Sequence, residues 1–134
     1  MNLFSIRIIT EDVDNLVKFY ETITNLKAIK YTDDFAELKT KNATLAIGSI
    51  KTLTLFGRND IAQAAYNKSI FIEFISNDVD ADYKRLENFI KPSILQKPTT
   101  MPWGNRSLLF KDPDGNLVNL FTPISKDAQN RFKK

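Results

Sequence analysis

Histidine and cysteine are both absent from this sequence of 134 residues. Histidine is the commonest metal ligand in proteins and the usual general base near neutral pH. Any metal binding or general-base catalysis in this protein would therefore have to use other residue types. Without cysteine the chain has neither a disulfide framework nor a thiolate nucleophile. These absences exclude imidazole and thiolate metal sites as well as thiolate catalysis.

Long hydrophobic runs are missing too. No segment approaches the roughly 18 apolar residues that a membrane span needs, and the N-terminus lacks a basic segment followed by an apolar one. We therefore expect a cytoplasmic protein with no membrane partner.

The positive charge is confined to one end of the chain. The net charge is +3, and the segment after Ser125 accounts for all of it, with Lys126, Arg131, Lys133 and Lys134 against Asp127. The rest of the chain is neutral, so it lacks the concentrated basic surface that binding to phosphate backbones requires. We expect no nucleic-acid partner.

What the sequence does contain is a weak internal repeat. The segments "ITEDVD" at 9–14 and "ISNDVD" at 75–80 share four residues at an offset of 66. Each follows an apolar run typical of a strand, "LFSIRI" or "SIFIEF", and precedes an apolar periodicity typical of a helix. The predicted apolar stripes are Val13, Leu16, Val17 and Tyr20 in the first helix, and Val79, Tyr83, Leu86 and Phe89 in the second. Asp12 and Asp78 are the predicted N-caps, and Asn25 suits a left-handed helix end.

Three strand candidates follow each helix. They are "LKAIKYT", "FAELKT" and "ATLAIGS" after the first, and "SILQKP", "NRSLLFK" and "NLVNLF" after the second. The chain is thus predicted to be one α+β domain, 1–134, of two βαβββ modules related by a pseudo-twofold. The expected division is module one 1–57, a linker 58–67, module two 68–125 and a basic tail 126–134. A short helix is expected in "FGRNDIAQAAYNK", around the linker, and the tail is expected to be frayed.

These duplicated units, with "DVDNLVKFY" and "WGNRSLLFKDPDGNLVNLF", resemble the vicinal oxygen chelate superfamily over residues 3–123. That superfamily includes glyoxalase I, extradiol dioxygenases, fosfomycin-resistance transferases and bleomycin-resistance proteins. The resemblance implies that each module curls into an open half-barrel, and that two modules enclose a cleft. In the metal-dependent members, the cleft holds a divalent ion on His, Gln or Glu side chains.

The resemblance places the ligand positions of that ion at Ser5, Phe71, Asn119 and either Leu45 or Ala46. None of these side chains is a carboxylate or an imidazole. They therefore do not supply the charged oxygen or nitrogen ligands that a divalent ion binds. We therefore predict no metal and no cofactor, as in the metal-free, bleomycin-resistance-like branch. Its drug-sequestering members are homodimers, which implies a module-swapped or simply paired dimer here.

Strand alternation selects the side chains that face the cleft. Ser5 and Arg7 share one face of the first strand, and the repeat offset carries that face to Phe71 and Glu73. The full set of predicted ligand-binding residues is Ser5, Arg7, Phe71, Glu73, Trp103, Asn119 and Phe121. Arg7 and Glu73 either form an internal ion pair or bind an anionic and a cationic ligand group, respectively. Phe4, Phe19 and Phe74 are expected in the core.

The predicted function is metal-independent binding of a small, planar organic molecule, with antibiotic sequestration as one form of it. One alternative is a metal-free lyase or isomerase, for which Glu73, Glu37 or Tyr31 would supply the acid or base. Another is a non-catalytic scaffold whose cleft is filled by its own side chains. The absence of a convincing pair of carboxylates on one face favours a binding protein over an enzyme.

Overall fold

The computed structural model of the protein describes residues 1–133. Two compact units make up the chain. The first comprises residues 1–67 and 113–115, and the second comprises residues 68–112 and the chain from Asn116 onward.

The first unit is a four-stranded sheet with one long helix. Its elements are β1 (Ser5–Thr10), α1 (Val13–Thr24), β2 (Ile29–Thr32), β3 (Phe35–Lys39), β4 (Thr44–Ser49) and a 3-10 helix (Ile50–Phe56). The strand order is β1-β4-β3-β2, with β1 parallel to β4 and the other pairs antiparallel.

The second unit repeats this topology. Its elements are β5 (Phe71–Ile75), α2 (Val79–Ile90), a 3-10 turn (Lys91–Ser93), β6 (Ile94–Thr100), β7 (Asn105–Lys111), β8 (Leu117–Pro123) and α3 (Lys126–Arg131). The order β5-β8-β7-β6, with β5 parallel to β8, matches the first sheet strand for strand. The predicted duplication of a βαβββ unit in an α+β chain is confirmed.

The helix ends follow the predicted capping. Asp12 Oδ1 accepts the amide of Asn15 at 3.0 Å, and Asp78 Oδ1 accepts the amide of Ala81 at 3.1 Å. Each carboxylate satisfies an amide of the first turn that has no partner within the helix. Asn25 ends α1 in the left-handed conformation, with φ of 58°.

In each unit, the apolar stripe of the helix packs on one face of the sheet. In the first unit the buried side chains are Val13, Leu16, Phe19, Tyr20 and Ile23 on α1, and Ala36, Leu38, Leu45 and Ile47 on the strands. In the second they are Val79, Leu86 and Ile90 on α2, and Ile72, Leu108, Phe110, Val118 and Leu120 on the strands. The opposite face of each sheet is thereby left to other contacts.

Phe89 of the predicted second stripe and Phe4 of the expected core are both exposed. Phe89 is 44% exposed, and Ile90 is fully buried in its place, because the stripe of α2 continues from Leu86 by four residues rather than three. Phe4 is 73% exposed, because it precedes β1, which is the edge strand of its sheet. Phe19 is buried as expected, and Phe74 is half-buried.

The same helix position is tied to the sheet in both units. Asp14 in α1 lies 2.7 Å from Lys30 Nζ on β2, and Asp80 in α2 lies 2.9 Å from Arg106 Nε on β7. The hydrogen bond to each aspartate raises the pKa of its basic partner. Both pairs are exposed, so they orient helix and strand more than they stabilise the fold.

The tail and the linker differ from expectation. The segment after Ser125 forms α3 rather than fraying, and Ser125 Oγ caps it by accepting the amide of Ala128 at 3.1 Å. Ala128 is buried, and the Phe132 ring lies 5.0 Å from the ring of Phe121 on β8. The short helix lies at 50–56 instead of within the linker 58–67, which contains no helix.

Among residues 1–133, no helix has the length and apolar character that crossing a membrane requires.

Candidate functional site

The face of the first sheet opposite α1 carries the strongest site candidate. In the strand register Arg7 pairs with Ala46, which pairs with Glu37, and Gly48 pairs with both Ile9 and Phe35. Side chains in the same row of a sheet point to the same face. Arg7, Glu37 and Phe35 therefore share the face that α1 leaves uncovered.

A pocket of about 550 Å³ opens beside this face. It is lined by Arg7, Thr32, Asp34, Phe35, Lys51, Thr52, Leu55 and Phe56. Its volume falls within the range of about 300–1,000 Å³ typical of small-molecule sites. The lining combines two aromatic rings and a leucine with a few polar groups, which is the composition that holds and orients an organic ligand.

Arg7 is the central polar group of this pocket. Its guanidinium carbon lies 4.9 Å from the centre of the Phe35 ring and 5.8 Å from that of Phe56. Both distances are within the range of a cation–π attraction, which holds the side chain against the rings. No carboxylate in the described part of its own unit comes within ion-pairing distance of Arg7.

The helix 50–56 forms one wall of the pocket, and a cluster of hydrogen bonds fixes its start. Ser49 Oγ donates to Asp34 Oδ1 at 2.8 Å and accepts the amide of Lys51 at 3.1 Å. Thr52 Oγ1 donates to the Ser49 carbonyl at 2.7 Å. The Asp34 carboxylate is therefore engaged by a neutral hydroxyl, whereas Arg7 and Lys51 bring two positive charges to the pocket.

Gly48 lies beneath Arg7 and Phe35. A Cβ at this position would lie 3.2 Å from Thr52 Oγ1, 3.6 Å from Arg7 Cδ and 3.7 Å from Phe35 Cδ2. The missing side chain thus leaves room for Thr52 Oγ1, whereas Arg7 and Phe35 stand at ordinary van der Waals distance.

In the second unit, the predicted site residues gather on the corresponding sheet face. Glu73 and Asn119 are register partners, and Asn119 Nδ2 donates to Glu73 Oε2 at 2.7 Å. Asn119 is 6% exposed, and its Oδ1 is buried without a hydrogen-bond partner in the part of the chain described here. Phe71 is 47% exposed at the start of β5, whereas Phe121 is 7% exposed and contacts Phe132.

The strand register places Ser5 with Arg7, and Phe71 with Glu73 and Asn119, on the faces expected from alternation, and the role of these residues in binding stays a prediction. Ser5 and Arg7 share a face of β1. Trp103, in the loop before β7 of the second unit, is 57% exposed. Arg7 and Glu73 each have a partner within their own unit, and the ion pair between them stays a prediction. The residues missed from the sequence are those of the helix 50–56, with Gly48 and Asp34 beside it. The spacing of Ser49 and Thr52 was the available signal, since a serine commonly caps a helix start.

The four positions implied for a metal do not form a matching donor set. Of the two candidates on β4, Ala46 is the register partner of Arg7, whereas Leu45 faces α1. Ser5, Ala46, Phe71 and Asn119 together offer one hydroxyl and one amide, and the amide nitrogen already donates to Glu73. Residues 1–133 contain no group of three or more acidic residues placed to hold an ion, and the sequence has no histidine or cysteine. This set does not fit a divalent ion of the magnesium or zinc type.

Comparison with protein families identifies the fold. The family model of the Glyoxalase/Bleomycin resistance protein/Dioxygenase superfamily matches residues 2–120. The chain belongs to this superfamily. Superfamily members generally bind small molecules and often dimerise. A comparison with curated protein sequences gave no match.

Solved structures of the superfamily share the fold of this chain. A glyoxalase/bleomycin resistance protein/dioxygenase family enzyme from Burkholderia phytofirmans PsJN aligns with a TM-score of 0.80 and 15% identity, covering 92% of this chain and 100% of that one. A glyoxalase/bleomycin resistance protein/dioxygenase from Nocardioides aligns with a TM-score of 0.74 and 18% identity, over 94% and 85%. A structure described as a conserved domain protein has 27% identity and a TM-score of 0.74, over 92% and 99%.

Proposed function

We propose that this superfamily member binds a small, planar organic molecule in the pocket of its first unit, without a metal ion. The observation that carries this proposal is the pocket itself, in which the Arg7 guanidinium lies against the rings of Phe35 and Phe56. Aromatic walls with a few oriented polar groups bind flat ligands by burying apolar area and by stacking.

The size of the pocket favours a binding protein over a filled scaffold. A volume of about 550 Å³ accommodates a drug-sized molecule. Leu55 and Phe56 are 83% and 62% exposed at the pocket, so their apolar surface is free to be covered by a ligand.

The donor chemistry supports metal independence. The positions that hold the ion in metal-dependent relatives carry Ser5, Ala46, Phe71 and Asn119, which supply no charged ligand. Binding must then rest on stacking, apolar burial and hydrogen bonds. Metal analysis of protein purified without chelator is expected to find substoichiometric zinc, nickel, manganese and iron.

Sequestration is favoured over turnover. Asp34 is the one carboxylate that lines the pocket, and it already accepts the Ser49 hydroxyl. A free acid or base beside the ligand is what a lyase or isomerase would need. Glu73, the candidate acid or base of the second unit, is held by the Asn119 amide. If Glu73→Gln abolished turnover of any bound compound, the protein would be an enzyme instead.

We also propose that the protein is a homodimer. Leu3 and Phe4 are 78% and 73% exposed, and Ile6 on the edge strand β1 is 43% exposed. Adjacent exposed apolar side chains on a sheet edge mark an association surface, and a second copy of the chain is the occupant that superfamily membership suggests.

A thermal-shift screen over antibiotics, flavin-like ring compounds and aromatic acids tests the binding proposal. A true ligand is expected to raise the melting temperature, bind once per chain and be recovered unchanged by mass spectrometry. Phe35→Ala and Phe56→Ala should each weaken its binding, whereas Phe89→Ala on α2 should not. Turnover of the ligand, or equal binding by all three variants, would contradict the proposal.

A further inference from the structure

We infer that the ligand of the first-unit pocket is an aromatic carboxylate, and that its carboxylate is bound by the N–H edges of Arg7. This inference rests on the pocket proposed above and adds the chemical class of the ligand. It follows from the charge of the lining, the position of the guanidinium and the contacts that restrict it.

The charge of the lining is positive on balance. Arg7 and Lys51 are its basic residues and Asp34 is its acidic one. Asp34 Oδ1 accepts the neutral Ser49 hydroxyl at 2.8 Å and keeps its negative charge, so the lining has two positive charges against one negative charge. An anionic group on the ligand would complement the remaining charge.

The position of Arg7 leaves its hydrogen-bond donors available. Contacts to the rings of Phe35 and Phe56 use the π faces of these rings, whereas a guanidinium hydrogen-bonds through its N–H edges. In the described part of its own unit, no carboxylate lies within ion-pairing distance of this side chain. The planar fork of donors matches a carboxylate in a bidentate arrangement.

The contacts around Arg7 restrict this fork. The Cδ of Arg7 lies over Gly48, at 3.6 Å from where a Cβ would stand, which is an ordinary van der Waals distance. Thr52 borders the same space, and its hydroxyl is fixed by the Ser49 carbonyl at 2.7 Å. Arg7 is exposed, and its contacts with the two rings restrict its side chain, so it loses less conformational freedom when it binds an anion.

The apolar neighbours of Arg7 indicate that the group attached to the carboxylate is an aromatic ring. A carboxylate on the N–H edge would bring its attached group beside Phe35, Leu55 and Phe56, the apolar side chains of the lining. A ring attached directly to the carboxylate keeps the ligand flat and lets it bury its apolar surface against these side chains. Lys51 is exposed and has a long flexible side chain. It therefore adds positive charge to the pocket but orients a bound anion less than the planar guanidinium of Arg7 does.

Calorimetric titration with two matched probes tests the inference. Naphthalene-2-carboxylate and naphthalene-2-carboxamide have the same ring and nearly the same shape, and they differ in charge. The full-length protein should bind the carboxylate about tenfold more tightly than the amide, as expected for a charge-assisted hydrogen bond. The difference should shrink as the salt concentration is raised.

Variants assign the preference to Arg7. Arg7→Met keeps the length of the side chain and should bring the two affinities together, while Arg7→Lys keeps the charge without the fork and should give an intermediate ratio. Arg58→Met is the matched control, because Arg58 pairs with Asp60 and does not line the pocket. Arg58→Met should leave the preference of about tenfold for the carboxylate unchanged, because effects of residues that share no contacts are independent.

The outcomes separate this inference from the proposed function. Equal affinities in the wild-type protein, or a preference that survives in Arg7→Met, would overturn the inference and leave ring binding in place. If neither probe bound at about 5 mM, the inference would be overturned, whereas the proposed function would be contradicted only if the thermal-shift screen also found no ligand.

Discussion

At Gly48, the absence of a single methyl group permits the close approach of Thr52 Oγ1. Thr52 Oγ1 lies 3.2 Å from the position of that methyl, and moving away from it would lengthen the hydrogen bond of 2.7 Å to the Ser49 carbonyl. Gly48→Ala should therefore shift Thr52, which lines the pocket. Because alanine also reduces the freedom of the unfolded chain, the free energy of unfolding should change by less than about 1 kcal/mol.

Affinity is the sensitive readout for this change. A severalfold loss of naphthalene-2-carboxylate binding, measured by calorimetry alongside urea denaturation, is the expected result. Unchanged affinity would show that binding does not depend on the position of Thr52.

At the scale of elements, the helix 50–56 depends on its cap. Ser49→Ala removes both the hydrogen bond to Asp34 and the acceptor for the Lys51 amide, at a cost of about 0.5–2 kcal/mol. Ser125→Ala removes the cap of α3 in the second unit and should cost a similar amount. Ser49→Ala alone should weaken ligand binding, because its helix forms a wall of the pocket.

Urea denaturation and titration of both serine variants decide this. Equal loss of affinity in the two variants would mean that ligand affinity depends on the stability of the whole protein. It would not then depend specifically on the helix 50–56 that forms the pocket wall.

Helix α3 is held in place by close contact with Gly104. A Cβ there would stand 2.0 Å from Ser125 Oγ and 3.2 Å from Ala128 Cβ. Gly104 and Gly115 both have positive φ, of 91° and 83°, but nothing lies within 4 Å of a Cβ at Gly115. Alanine at either position should cost about 1–2 kcal/mol of backbone strain. Gly104→Ala should cost about 1–3 kcal/mol more, through overpacking against α3.

The two alanine variants therefore have the same backbone strain at positive φ, and only Gly104→Ala also has a close contact with α3. Urea denaturation should show a larger loss for Gly104→Ala. Equal losses would mean that α3 moves aside at no cost and is not an integral part of the second unit.

At the scale of the whole molecule, the proposed homodimer predicts a mass of two chains in light scattering. Phe4 is 73% exposed, so Phe4→Asp should leave the fold of the chain intact while placing a charge on the proposed interface. The variant should have the mass of one chain. Phe89→Asp, at an exposed position on α2, should remain a dimer.

A wild-type mass of one chain at high protein concentration would contradict the homodimer. So would a Phe4→Asp variant that kept the mass of the wild type.

Local patterns in the sequence predicted the topology well. The repeat around Asp12 and Asp78 indicated where each helix begins, and period-two alternation placed Arg7 and Glu73 on the faces that the helices leave uncovered. These features depend on neighbours in the chain and on the geometry of strands and helices, so a single sequence contains them.

Other features depend on contacts between distant segments. Alternation cannot tell that β1 is an edge strand, so the exposure of Phe4 was missed. A short 3-10 helix has no long apolar periodicity, so the wall that carries Lys51 and Leu55 was missed as well. The contact between Phe121 and Phe132 could be predicted only by knowing that the segment after β8 folds back on that strand.

The most direct test of the central claim is a titration of chelator-treated protein with naphthalene-2-carboxylate, with the metal content of the same sample measured. We expect substoichiometric metal and binding once per chain, with an affinity that is unchanged when zinc or manganese is added back. One tightly held ion per chain, or binding that appears only after an ion is restored, would contradict metal-independent binding.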